Sequence, residues 1–157
     1  MVAEARVRTP VRTSNRGFWM VMIPMVAVSA LLLVLVFANR PVAEKASEFT
    51  ARHSLRMSLE AARAIAEERG SLAAATTVAM RRRLPDLAFT DPDLSSNNAE
   101  VVSVYATDAV WAGAARAEDG ACFWIRLDAS GRVATGRGSD CSGDAASAAA
   151  PAAWPSP

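Results

Sequence analysis

Cys122 and Cys141, 19 positions apart, are the only thiols in a chain of 157 residues. Sulfur chemistry here begins and ends with this pair. Two thiols can form a disulfide, a redox couple or part of a zinc site. The compact redox couple needs Cys-x-x-Cys, which is absent. Zinc needs four ligands, and the single histidine, His53, leaves two cysteines short of a set. In an oxidising compartment an isolated pair reads as one structural bridge. On chain entropy, a loop of this length contributes about 3 kcal/mol.

Other reactive side chains do not gather into a pattern. There is no Gly-x-Ser-x-Gly, no phosphate-binding glycine loop and no His-Glu-x-x-His. His53 falls in an amphipathic helical stretch and reads as a solvated or boundary residue, with Ser54 and Ser58 as ordinary helix-surface side chains. Asp91 and Asp93 could share a cation or act as paired carboxylates, but Asp91-Pro92-Asp93 is turn chemistry first. Arg81-Arg82-Arg83 is the one charge run. It could touch DNA, an acidic polymer or lipid head groups, yet it also suits the C-terminal end of a helix, where the dipole favours cations. Three arginines without interleaved aromatics make a poor nucleic-acid footprint. The expectation is a non-enzyme with no catalytic, cofactor-binding or metal-binding residues and no nucleic-acid partner; its ligand is not legible.

The elements that position the cysteines begin with hydropathy. Phe18–Ala38 is 21 residues without a charge, about 31 Å as a helix, enough to span a bilayer's apolar layer. Arg6, Arg8, Arg12 and Arg16 precede it against Glu4, a net +3, whereas the chain from Asn39 sums to −2. The positive-inside rule then predicts a single-pass span with a cytoplasmic N-terminus, a lipid bilayer as partner, and everything after Asn39 outside the cytoplasm. A cleaved signal peptide ending at Val36-Phe37-Ala38 is the competing reading, although the apolar run exceeds the usual signal length. Either one places the cysteines where they oxidise.

Beyond Pro41, the run to Arg69 lacks internal proline and glycine. Leu55, Leu59, Ala62 and Ala66 share one face, with Ile65 beside them, which predicts an amphipathic helix ended by Gly70. Ser71 is placed to cap a second helix reaching Arg83, stopped by Pro85. Residues 86 to 98 read as turns. The period then changes to alternation: strands are predicted over Val101–Tyr105, Val110–Ala115 and Ala121–Leu127. A turn at Asp128–Gly131 returns the chain as Arg132–Gly136. Phe123, Ile125 and Leu127 share one face of the third strand, and Cys122, Trp124 and Arg126 the other. The Ala, Pro and Ser-rich end reads as a loose tail unless Trp154 docks.

Together these elements predict an α+β fold: an N-terminal transmembrane helix continuing into a long amphipathic helix packed on a small antiparallel sheet. The expected divisions are a basic leader (1–17), the span (18–38), an extracytoplasmic domain (39–143) and a tail (144–157).

This layout resembles a type IV pilin, in particular the small pilin-like proteins of high-GC Gram-positive bacteria. The similarity is carried by Val101-Val102-Ser103-Val104, then Gly120-Ala121-Cys122-Phe123-Trp124-Ile125-Arg126, Gly136, Cys141 and Trp154. It implies a long helix on a sheet, with the disulfide bounding a C-terminal loop and other pilin-like subunits as partners. Gly17-Phe18 matches the leader-cleavage point of prepilins. Met22 stands where that family has a glutamate that pairs with a neighbouring subunit's terminal amine. The resemblance therefore implies a minor or accessory pilin, or a stand-alone, permanently anchored interaction or sensing domain that does not assemble, rather than the main filament subunit.

Overall fold

The computed structural model describes residues 16–150 and Trp154; of the side chains before Val42, only a few are among the described residues. The chain divides into two compact units, Met1–Arg40 and Pro41–Pro157. Among the described residues, no helix is long and apolar enough to cross a membrane. This overturns the transmembrane helix expected over Phe18–Ala38, and with it the single-pass placement that the fold and localisation were given. Side chains are described without a break only from Val42 onward. From Val42 the first helix carries Glu44, Lys45, Glu48, Arg52, Arg56, Glu60 and Arg63, and such a charge spacing belongs in water. Most side chains of residues 18–38 lie outside the described residues, and the basic leader lies almost wholly outside them.

Helix α1 covers Arg16–Arg69. Within the second unit its inner face buries Leu55, Leu59 and Ala62 of the predicted stripe and Ile65 beside them, with Ala66 half-buried; Ala51, one turn earlier, is buried as well. Ser54 and Ser58 correct the expectation of surface serines: both are buried on this same face. A serine fits there because its hydroxyl can turn back on the helix, and Ser58 Oγ donates to Ser54 O at 2.8 Å. Gly70 ends the helix with φ 75° and an N–H donated to Ala66 O. A side chain would strain that left-handed geometry.

The predicted second helix is broken into two. Ser71 caps only a short 3-10 turn, Leu72–Ala74, and Thr76 then caps α2, Thr77–Arg83. Each cap oxygen accepts a backbone N–H that the helix itself cannot satisfy. The three arginines fill the last turn of α2, as the dipole favours.

Five strands form one sheet in the order β1 (Ala88–Thr90), β2 (Val101–Ala106), β3 (Val110–Arg116), β4 (Cys122–Asp128), β5 (Val133–Gly138). The last four pair antiparallel, while β1 pairs parallel with β2, so the sheet is mixed rather than purely antiparallel. β1 was hidden inside a turn-rich segment; three residues are too few for alternation to register. Leu127 faces Trp111, Ile125 faces Gly113 and Phe123 faces Ala115 across β3 and β4. With Val102 and Val104 these side chains meet the buried stripe of α1 in the main core. The opposite face carries a smaller core of Ala112, Ala114, Cys122, Trp124, Cys141 and Ala146. That face is covered by α3, Gly143–Ala148, which packs on β2, β3 and β4. A six-residue helix stands where a loose tail was expected. Ser142 nucleates it by accepting the Ala145 N–H.

Candidate functional site

Strand β4 carries the groups that the sequence singled out, and the alternation of its side chains sends them to different layers. Cys122 lies on the outer face and is bonded to Cys141, with Cα atoms 5.3 Å apart. The bridge thus closes the β4–β5 hairpin and pins the start of α3 to the sheet. A buried serine reinforces it: Ser96 donates its N–H to Cys141 O at 2.9 Å, and its hydroxyl accepts the Arg116 N–H while donating to Val101 O. Ser96 sits in the Ser-Ser-Asn-Asn stretch read as a plain turn, and no sequence pattern marks it as buried.

Phe123, the next residue, points to the main core and is fully buried. The guanidinium carbons of Arg52 and Arg137 each lie 4.8 Å from its ring centroid. Glu48 joins them, binding Arg52 through Oε2 at 2.9 Å and Arg137 through Oε1 at 3.0 Å. One helix and one edge strand are thereby fastened over a single aromatic ring. Ser47 adds a further tie, accepting the Glu118 N–H.

Trp124 turns back to the outer face and lies over Gly136 of the facing strand. A Cβ built at Gly136 would sit 2.3 Å from the indole. The terminal tryptophan docks close by: Trp154 donates its indole N–H between Trp124 O and Gly136 O, at 3.2 Å each, with Arg56 5.4 Å over its ring. Trp154 packs against the main core, whereas Ala149 packs against the outer one.

Arg126 is half-buried on the outer face, and its Nη1 donates to Ser147 O and Ala149 O at 2.9 and 3.1 Å. These are carbonyls at the end of α3, which lack helical partners of their own. Because α3 is short, the outer face beyond it is left open as a cavity of about 520 Å³ lined by Val110, Arg126, Asp128, Arg132, Val133 and Ala134. Asp128 accepts from Ser130 and from the Arg132 backbone, and pairs with Arg132 Nε at 2.8 Å. The Ser130 hydroxyl first, then the Arg132 N–H and guanidinium, hold its carboxyl at about 2 rather than the usual 3.8.

The other residues marked by the sequence stand apart. His53 is exposed and stacks on Phe49, ring centroids 6.2 Å apart. Asp91 accepts from Thr77 Oγ1 at 2.9 Å, and Asp93 is exposed. Among the described residues no group of three or more histidine, cysteine or acidic side chains could hold a metal ion. In the arginine run, Arg81 donates to Phe89 O on the edge strand β1, and Arg83 pairs with Glu68 at 2.8 Å. Gly17 and Phe18 fall within α1 with their side chains outside the described residues.

Comparison with protein-family models, with curated proteins and with solved structures finds no match to this chain.

Proposed function

We propose that this protein is a pilin-like structural or accessory subunit, of the minor kind, that works through contacts with other proteins rather than through catalysis. One observation carries the reading. Within the second unit the helix is fastened along a sheet through Ala51, Leu55, Leu59, Ala62 and Ile65, and the sheet's final hairpin is closed by Cys122–Cys141 and sealed by Trp154. Rigid fastening suits a subunit that must transmit contact from one neighbour to the next. The bridge also suits an oxidising compartment. The sequence similarity through Cys122-Phe123-Trp124-Ile125-Arg126, Gly136, Cys141 and Trp154 supports the same role.

A second reading is a stand-alone interaction or sensing domain that never joins an assembly. The cavity beside Arg126 favours it, because a half-buried guanidinium at a concave surface is a recognition group as much as a structural one.

Intact-mass analysis and chemical crosslinking of the protein from its native source separate the two. A chain beginning at Phe18 and recovered in a crosslinked ladder of pilin-like subunits supports the first. A chain with its leader retained, recovered uncrosslinked, rejects the first in favour of the second.

A further inference from the structure

Arg126 is oriented more firmly than its surroundings require. Its Nη1 is committed to two carbonyls at the end of α3. Its Nε and Nη2 donate to nothing among the described residues, and the side chain lines the open cavity. Three N–H bonds of a fixed, planar cation therefore remain for a partner. The surface around them is apolar: Val110 stands on the same face of the sheet, and Ala134, directly opposite Arg126 across β4 and β5, supplies a small floor.

The charges of the lining set the sign of that partner. Two guanidinium groups, Arg126 and Arg132, face one carboxylate, Asp128, so the rim is cationic by one charge. Asp128 does not compete for Arg126, because Ser130 and Arg132 already occupy its oxygens. A guanidinium with adjacent free N–H groups matches a carboxylate in a two-point fork, and an anchored one loses little freedom on binding. The apolar flanks then select what the carboxylate is attached to.

We propose that the cavity beside the end of α3 is a binding site for an aliphatic carboxylate, held by Arg126 through Nε and Nη2 with its branched apolar group against Val110 and Ala134. The proposal holds under either reading of function, since it depends on the sheet and α3 alone. The carboxylate could belong to a free small acid or to the end of a peptide chain with a small apolar last residue; the chemistry at Arg126 is the same.

Two-dimensional NMR of the whole folded protein tests it, with isobutyrate, N-acetyl-alanyl-valine and the neutral isobutyramide as probes. Saturable shifts at the Arg126 Nε–H and at the amides of Val110, Val133 and Ala134 are expected for one or both carboxylates. Isobutyramide is expected to bind about tenfold more weakly or not at all. Tighter binding of the acetylated dipeptide assigns the site to chain ends, and equal or tighter binding of isobutyrate assigns it to free acids. Ala134→Leu fills the floor and leaves Arg126 in place, so it is expected to abolish the response while the remaining spectrum is retained. Arg126→Lys, which keeps the charge but loses the fork, is expected to weaken binding about tenfold. Equal response to isobutyramide, undiminished binding by Ala134→Leu, or shifts spread evenly over Arg132 and Arg137 would overturn the proposal.

Discussion

Arg137 on the edge strand lies 4.8 Å from the ring of Phe123 while its Nη2 pairs with Glu48 of the helix at 3.0 Å. Phe123 is wholly buried, so the cation meets a desolvated π face on one side and a carboxylate on the other. Neither contact alone is worth much at a partly exposed arginine. A cation–π contact at such a site contributes about 0.5–1 kcal/mol and an ion pair about the same or less. Their value here lies in being shared. Arg137→Ala is expected to lower stability by about 1 kcal/mol and Glu48→Gln by about 0.5 kcal/mol. In a double-mutant cycle followed by urea unfolding, the pair should fall short of additivity by a few tenths of a kcal/mol or more, about the margin that marks coupled neighbours. Strict additivity would mean that helix and edge strand are fastened independently of this clamp.

The bridge between Cys122 and Cys141 makes a larger contribution. It spans 19 positions and pins β4 to the start of α3. Replacing both cysteines by serine removes the constraint on the unfolded chain, at about 3 kcal/mol. Thermal unfolding with and without reductant checks the same quantity without mutation. In addition, thiol labelling of the native protein without reductant should find no reactive cysteine. Quantitative labelling of both would remove the staple from the fold.

What the sequence revealed and what it hid divide along physical lines. Period carries information wherever one face is wet and the other dry, and so the stripe Leu55, Leu59, Ala62, Ile65 and the alternation of Phe123, Ile125 and Leu127 were legible. Period fails for short elements. β1 has three residues and α3 has six, and both were absorbed into loops. Hydroxyls mislead in another way: Ser54, Ser58 and Ser96 look polar yet are buried, and the Ser58 and Ser96 hydroxyls donate to nearby backbone carbonyls. The transmembrane expectation came from the length of an uncharged run and the arginines before it, and among the described residues no helix meets it. Arg126 was placed on the correct face of its strand, but its cavity was not legible. That cavity depends on where α3 stops, and a six-residue helix leaves no sequence signature strong enough to say.

Gly136 offers a test of packing on the outer face. The ring of Trp124 lies across it, so a Cβ would meet indole carbons at 2.3 and 2.6 Å. Trp124 is itself buried and cannot swing away without opening the smaller core. Gly136→Ala is therefore expected to destabilise by about 1–3 kcal/mol, the usual range for overpacking. Because Trp154 donates to Gly136 O, the substitution should also loosen the terminal tryptophan. Tryptophan fluorescence during urea unfolding reads both effects; an unchanged midpoint would mean that the indole stacks elsewhere.

Asp128 provides a prediction in pH. Its carboxyl accepts from the Ser130 hydroxyl and from Arg132, and titrates at about 2 instead of 3.8. A carboxyl whose value is depressed on folding binds its proton more readily in the unfolded chain. Its stabilising contribution is thus complete above the unfolded value, declines as pH falls below about 3.8, and is gone once pH passes the folded value of about 2. Asp128→Asn cannot ionise, so it should remove this part of the acid dependence. The wild-type and variant curves of unfolding midpoint against pH are expected to converge as pH falls through that window, and to run parallel above it. Carbon-detected NMR of the Asp128 carboxyl should show its midpoint well below that of a free aspartate. A midpoint near 3.8 would mean that the turn from Asp128 to Arg132 does not hold the carboxylate in solution as it does in the structure.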